Sequence, residues 1–210
     1  SIFYYNSFHQ TWSAAFEIRI RNWAGLSNKS RRGMIGGRRV VTDSGTNGNL
    51  YRYNRTEKQV YFSAYHISSD TVSNYLDGMY KYKIEYMTGY AMSNYYLACL
   101  IEKSGLKAPK LKAVITSSEK LTLKMRDTFS RVYGCKTYDS YSGVEACGLI
   151  SENEYGQLLF SPDTGVMEFL NQHGKICKPG EEGEIISTGF LNYDQPLIRY
   201  RIGDTAKFAI

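Results

Sequence analysis

Tyr141, Glu145 and Asp204 are the side chains in this sequence whose types and spacing point most directly to chemistry. The first two belong to the run Tyr141-Ser142-Gly143-Val144-Glu145, and Asp204 closes Arg199-Tyr200-Arg201-Ile202-Gly203-Asp204, about fifty residues later. An aromatic ring offers a face on which a base can stack. A glutamate supplies oxygen to a hard cation. An ionised aspartate only accepts hydrogen bonds, and can take them from both hydroxyls of a ribose. In this order the residues have a layout that can hold a nucleotide against a metal ion. A Tyr and a Glu on a strand-to-helix turn also occur as plain turn residues, so the surroundings decide.

Those surroundings alternate helices with strands. Trp12, Phe16, Ile20 and Trp23 have helical spacing and predict a helix over 11–23, ended by Gly25. Met34 to Gly37 reads as a strand, Val40-Val41 as its continuation toward a hairpin, and Asn47-Gly48 as a two-residue turn before a strand over Leu50 to Tyr53. Asp43 to Gly48 superficially resembles a phosphate loop, but no Lys or helical pattern follows, so it reads as a turn. Ser69 or Asp70 is expected to cap a helix striped with Val72, Tyr75, Leu76, Met79 and Tyr80. A strand at Lys83 to Met87, a helix from Ser93 to Lys103 and a strand from Leu111 to Thr116 follow. Ser118 is then expected to cap a helix carrying Leu121, Met125, Phe129 and Val132, and Cys135 to Tyr138 gives the next strand.

Such alternation implies parallel strands with helical crossovers. Ligands in these sheets sit beyond the carboxyl ends of the strands, where Ser117-Ser118-Glu119 and Asp139 to Glu145 both fall. After residue 155 the pattern changes to strands without helices, at Gln157 to Ser161, Val166 to Leu170, Glu184 to Thr188 and Leu197 to Ile202. The expected fold class is therefore α/β, a parallel-sheet helix/strand lobe over 1–150 followed by a small β-rich subdomain over 151–210.

Tyr138-Asp139-Ser140-Tyr141-Ser142-Gly143-Val144-Glu145 resembles the signature of the adenylate-forming (AMP-binding) superfamily, which includes acyl- and aryl-CoA ligases. Pro196 to Asp204 is similar to the later Tyr-Arg-Thr-Gly-Asp motif of that superfamily, and Pro179 to Ile185 to its Gly-Glu segment. Ser63 to Ser68 and Leu111 to Glu119 carry the likeness upstream, toward the phenylacetate–CoA ligase branch and its capsule-polysaccharide members.

The resemblance implies an enzyme of the acid–thiol ligase type, which uses ATP and Mg²⁺ to convert a carboxylic acid to acyl-AMP and transfers it to CoA or another acceptor. Tyr141 would stack on adenine and Asp139 would receive its amino group, with Ser117, Ser118 and Glu119 forming the facing wall and Ser142 beside them. Glu145 would be the catalytic Mg²⁺ ligand, and Asp204 would accept the ribose hydroxyls. Tyr65, His66, Gly89 and Tyr90 would line the acyl pocket. Ser142 replaces the usual glycine, Val144 the usual Thr or Ser, and Ile202 the usual Thr. These departures leave open a catalytically weakened homologue that serves as a binding or scaffold module. Some relatives bind zinc after the first motif, but Ser151 to Tyr155 contains no Cys or His, so no zinc is expected. The family's phosphate loop is expected upstream of Ser1 and its Lys-bearing C-terminal domain after Ile210, which makes this an internal piece unable to form acyl-adenylate alone.

The composition fits a globular protein, with 42% hydrophobic and 22% charged residues. No apolar run is long enough to span a membrane, and the N-terminal residues lack a signal-peptide layout. Cys99, Cys135, Cys147 and Cys177 have neither zinc nor disulfide spacing, and a cytoplasmic location is expected. The net charge of +6, with Arg31-Arg32 and Arg38-Arg39, raises nucleic acid as a partner. No nucleic-acid motif accompanies it and most cations alternate with acids, so a solvated basic surface is the simpler account.

Overall fold

Apolar residues at helical spacing form helices, and runs rich in β-branched and aromatic residues form strands, across the residues 6–41, 49–143 and 145–208 that the computed structural model describes. In chain order the elements are α1 (Ser7–Trp23), β1 (Arg32–Gly36), β2 (Tyr51–Asn54), β3 (Gln59–Ser63), α2 (Val72–Lys81), β4 (Tyr86–Tyr90), α3 (Ala91–Lys103) and β5 (Ala113–Ser117). They continue with α4 (Leu123–Tyr133), β6 (Lys136–Ser142), β7 (Leu149–Glu152), β8 (Leu158–Phe160), β9 (Gly165–Leu170), β10 (Glu182–Gly189) and β11 (Tyr200–Lys207). Two compact units result. One comprises Ile20–Ser140 with Asn153–Gly156, and the other the described residues of Ser1–Arg19, Tyr141–Glu152 and Gln157–Ile210.

The first unit has α/β architecture. Its strands lie in the order β2-β3-β1-β4-β5-β6. β1 pairs in parallel with β3 and β4, β4 with β5, and β5 with β6, whereas β2 runs antiparallel to β3. Alternation along each strand sends successive side chains to opposite faces of the sheet. Val114 packs with Tyr75 and Met79 of α2, Leu97 and Ile101 of α3 and Phe129 of α4. Its neighbours Ala113 and Ile115 join Ile20, Ala24 and Leu26 in a second cluster. Within β4, Met87 and Tyr86 divide between the same two clusters. Gly89 has φ +112°, and a Cβ there would lie 1.9 Å from the Ile35 carbonyl oxygen, so β4 approaches β1 as only glycine allows.

Helix starts depart from expectation: α1 begins at Ser7 and α3 at Ala91, both earlier than their apolar spacing implies, and two caps differ. Ser118 has a left-handed φ of 69° and lies outside α4; the N-cap is Thr122, whose Oγ1 accepts the Met125 N–H at 3.3 Å. For α2 the N-cap is Thr71 rather than Ser69 or Asp70, and it makes no side-chain cap bond to the helix. Its hydroxyl instead donates to the His66 carbonyl at 2.6 Å and accepts from the Ser68 N–H, tying the preceding turn. Val40 is buried outside any strand, so β1 ends at Gly36 without the expected continuation. The predicted turn at Asn47-Gly48 and the loop from Asp43 lie outside the described residues.

The second unit contains the antiparallel β7–β8 pair and a three-stranded sheet in the order β11-β10-β9. Both neighbours of β10 are antiparallel, and its register to β11 shifts between Glu184 and Ile186. Phe169, Cys177 and Ile185 make its small core, against which Tyr141, Met167, Ile202 and Ala206 pack. All four cysteines are free. Among the described residues no helix is long and apolar enough to cross a membrane.

Candidate functional site

Strand β6 leads from the first unit into the Tyr141 motif. Tyr141 lies near its end, with the ring against the Phe169–Ile185 core and the hydroxyl donating to Asp204 Oδ2 at 2.8 Å. Asp204 lies in β11, where Ile202, two residues earlier, faces the same core. The two motifs, 63 residues apart in sequence, thus meet through a phenol and a carboxylate. Burial, then the hydrogen bond and charge of Asp204, push the Tyr141 phenol well above its ordinary range. Asp204 is itself exposed. A carboxylate has about four lone-pair directions, so one phenol leaves it capacity for further donors.

Glu145 forms a second carboxylate–phenol pair in this unit. Its Oε1 accepts the Tyr200 hydroxyl at 2.9 Å, and that bond, followed by burial, raises the Tyr200 phenol. A Cβ at Gly143 would lie 2.6 Å from Glu145 Oε2, so the glycine leaves the space that this oxygen occupies. The buried Cys147 thiol is pushed up, first by burial and then by the negative charge of Glu145. Ser142 is exposed at the end of β6. Val144 lies outside the described residues. Among the described residues no group of three or more His, Cys, Asp or Glu could hold a metal by itself.

The remaining predicted residues belong to the first unit, at the carboxyl ends of its strands. Ser117 ends β5, and the left-handed turn at Ser118 brings the Glu119 carboxylate to the Met92 N–H, 2.7 Å away, in the first turn of α3. Asp139 lies on β6, with Oδ1 accepting from the Thr116 hydroxyl at 3.4 Å. Ser140 donates to the Thr116 carbonyl at 2.9 Å, which fastens β6 to β5 beside it.

The four residues expected around an acyl group gather on the same edge. The Tyr65 hydroxyl donates to the Gly37 carbonyl at 3.1 Å, and a Cβ on Gly37 would lie 2.6 Å from the Tyr90 hydroxyl. Gly37 therefore joins Tyr65 and Tyr90, although its type and position carry no sequence signal beyond ending the expected strand, which stops at Gly36. Gly89 is held by the close approach to β1. His66 Nδ1 is 2.7 Å from the Ser63 hydroxyl, in the turn before α2. Tyr200 is a further member; its sequence signal is its place as the tyrosine of Tyr200-Arg201-Ile202-Gly203-Asp204, which says nothing of Glu145.

No protein-family model matches the chain. Over 207 residues it is 28% identical to Protein CapK of Staphylococcus aureus, covering 98% of this chain and 45% of CapK. Over 119 residues it is 30% identical to the uncharacterized acyl–CoA ligase YtcI of Bacillus subtilis (strain 168), covering 53% of this chain and 22% of YtcI. The chain thus spans less than half the length of either curated relative. An open conformation of 2-hydroxyisobutyryl-CoA ligase, solved in complex with 2-HIB-AMP and CoA, superposes with a TM-score of 0.65 at 18% identity. The match covers 96% of this chain and 48% of that one, and establishes the shared fold. The chain thus shares the fold of a CoA ligase, and its sequence is similar to CapK along nearly its whole length and to a relative named as an acyl–CoA ligase along about half of it.

Proposed function

We propose that this chain is the ATP-binding portion of a ligase that activates a carboxylic acid as its acyl-adenylate and passes the acyl group to CoA or another acceptor, in the manner of phenylacetate–CoA ligases. The observation that carries this proposal is the Tyr141–Asp204 contact, which unites the two motifs expected to hold the base and the ribose. The likeness to CapK and to a CoA ligase bound to an acyl-AMP supports it.

In the first half-reaction a carboxylate oxygen attacks the α-phosphorus of ATP, the bond to the β-phosphate breaks, and pyrophosphate leaves. In the second, the acceptor attacks the acyl carbon and AMP departs. The protein's part is positioning and electrostatics. Tyr141 offers its ring to adenine, and Asp139 accepts the exocyclic amino group. Ser117, Ser118 and Glu119 give backbone contacts to the base, beside Ser142. Asp204 accepts the ribose hydroxyls on lone pairs that Tyr141 leaves free. Tyr65, His66, Gly89 and Tyr90 line the space for the acyl group.

One glutamate suits Mg²⁺, which usually keeps several waters and takes one or two carboxylates beside the phosphates. Glu145 would hold it by its carboxylate, which has lone pairs beyond the one that accepts the Tyr200 O–H. When bound, the metal would offset charge on the phosphate oxygens. A second possibility, a weakened homologue serving as a binding or scaffold module, is favoured by Ser142 and Val144 at positions where the family carries Gly and Thr or Ser.

Calorimetry on the whole protein tests the site. AMP should bind more tightly than 2′,3′-dideoxy-AMP, and Asp204→Ala should remove most of that preference, because only the ribose hydroxyls need the carboxylate. An equal loss of affinity for both ligands would exclude Asp204 from the ribose contact.

A further inference from the structure

The two motifs hold each other reciprocally. Tyr141 of the first donates to Asp204 of the second, and Tyr200 of the second donates to Glu145 of the first. Within each motif the tyrosine stands four residues before the carboxylate. Tyr141 has a further use, since the proposed function gives its ring to adenine. Tyr200 has no role there, yet its hydroxyl lies 2.9 Å from Oε1 of the carboxylate assigned to the metal.

Both ends of this bond sit beside unusual backbone. Arg199, just before Tyr200, has a φ of 49°, and Ala146, just after Glu145, has a φ of 47°. Left-handed conformations are uncommon for residues other than glycine. They persist where the surroundings fix them, often at functional sites. Arg199 is fixed by its N–H, which donates to Thr188 Oγ1 at 2.9 Å, and by its guanidinium, 3.4 Å from Glu168. The Ala146 N–H donates to the Gly143 carbonyl at 3.0 Å. Tyr200 then enters β11 as the register partner of Ser187 on β10. On the acceptor side, a Cβ at Gly143 would lie 2.6 Å from Glu145 Oε2. Tyr200 and Gly143 thus bear on the two oxygens of one carboxylate. Packing alone does not call for the bond, because a half-buried phenol can give its proton to water, whereas a buried one needs a partner.

We propose that Tyr200 is a positioning residue that orients the Glu145 carboxylate for Mg²⁺, an assignment that rests on the ligase reading above. A carboxylate that binds a metal is itself held by a hydrogen bond from an outer partner, and loss of that partner weakens the metal. A phenol suits the task. It donates one hydrogen bond and leaves the other lone pairs of the carboxylate open. Unlike Lys or Arg, it adds no positive charge that would repel the cation.

Calorimetric titration of the whole protein with α,β-methylene-ATP, with and without Mg²⁺, tests this role. The wild type should bind the analogue more tightly when Mg²⁺ is present. Tyr200→Phe keeps the ring and should lose roughly tenfold or more of that gain, with its metal-free affinity close to that of the wild type. Glu145→Gln should lose the gain as well. Adding Tyr200→Phe to it should cost nothing further, because the phenol acts through the carboxylate. Equal weakening of Tyr200→Phe with and without Mg²⁺ would make Tyr200 a structural residue and overturn the proposal. So would a Tyr200→Phe protein that keeps the gain while Glu145→Gln loses it, a result that leaves the ligase reading standing. If Glu145→Gln itself keeps the gain, or the wild type shows none, Glu145 is no metal ligand and both assignments fail.

Discussion

Tyr141 has its ring on the Phe169–Ile185 core and its hydroxyl on Asp204, so the two ends of one side chain can be tested separately. Tyr141→Ala should weaken AMP binding by about 1–3 kcal/mol, the usual worth of a base on an aromatic platform. Tyr141→Phe keeps the ring and should lose much less; equal losses in calorimetry would remove stacking from the account. The hydroxyl end has its own signature. Besides burial, Asp204 raises the Tyr141 phenol, by accepting its hydrogen bond and by repelling the tyrosinate that would form, so Asp204→Asn should let Tyr141 ionise at lower pH. A difference titration of tyrosinate absorbance, variant against wild type, reads that shift directly, and superimposable curves would deny the contact. Tyr141, Glu145 and Asp204 were legible because their types and order form a pattern. The Tyr200–Glu145 bond was not, because it depends on where the chain of β11 carries a hydroxyl in space, which residue types do not encode.

Helices were the most legible elements, since Tyr75 and Met79 or Met125 and Phe129 repeat at the helical period. The exact caps were harder. Ser118 and Thr122 are both plausible cap residues by type, and the left-handed turn at Ser118 decides between them. Thr122→Ala should lower stability by about 0.5–2 kcal/mol in urea unfolding, whereas Ser118→Ala should leave α4 nearly as stable. The reverse ranking would restore Ser118 as the cap. β3 carried no alternating signal, because Gln59, Val60, Phe62 and Ser63 are all buried. The strand lies inside the sheet and is covered on both faces, where alternation disappears. Gly89 illustrates a constraint no sequence pattern announces. Gly89→Ala should cost several kcal/mol or prevent folding, since its Cβ would overlap the Ile35 carbonyl and its φ is positive. Thermal denaturation checks this, and a near-wild-type midpoint would mean that β4 and β1 are less tightly joined.

At the scale of the whole molecule, the α/β class and its parallel pairing were readable from helix–strand alternation. The stretch that matches this chain is under half of CapK's length. On the proposed ligase reading, these residues alone should form no acyl-adenylate, as that reading assigns phosphate positioning and closure against water to segments outside them. The most direct test is ATP–pyrophosphate exchange by the whole protein across a panel of carboxylic acids. We expect exchange that requires both an acid and Mg²⁺, and that falls sharply in a folded Glu145→Gln variant, where the metal loses an anionic ligand. Unimpaired exchange in Glu145→Gln, or AMP binding with no exchange for any acid, would contradict the assignment of this chain to an active ligase.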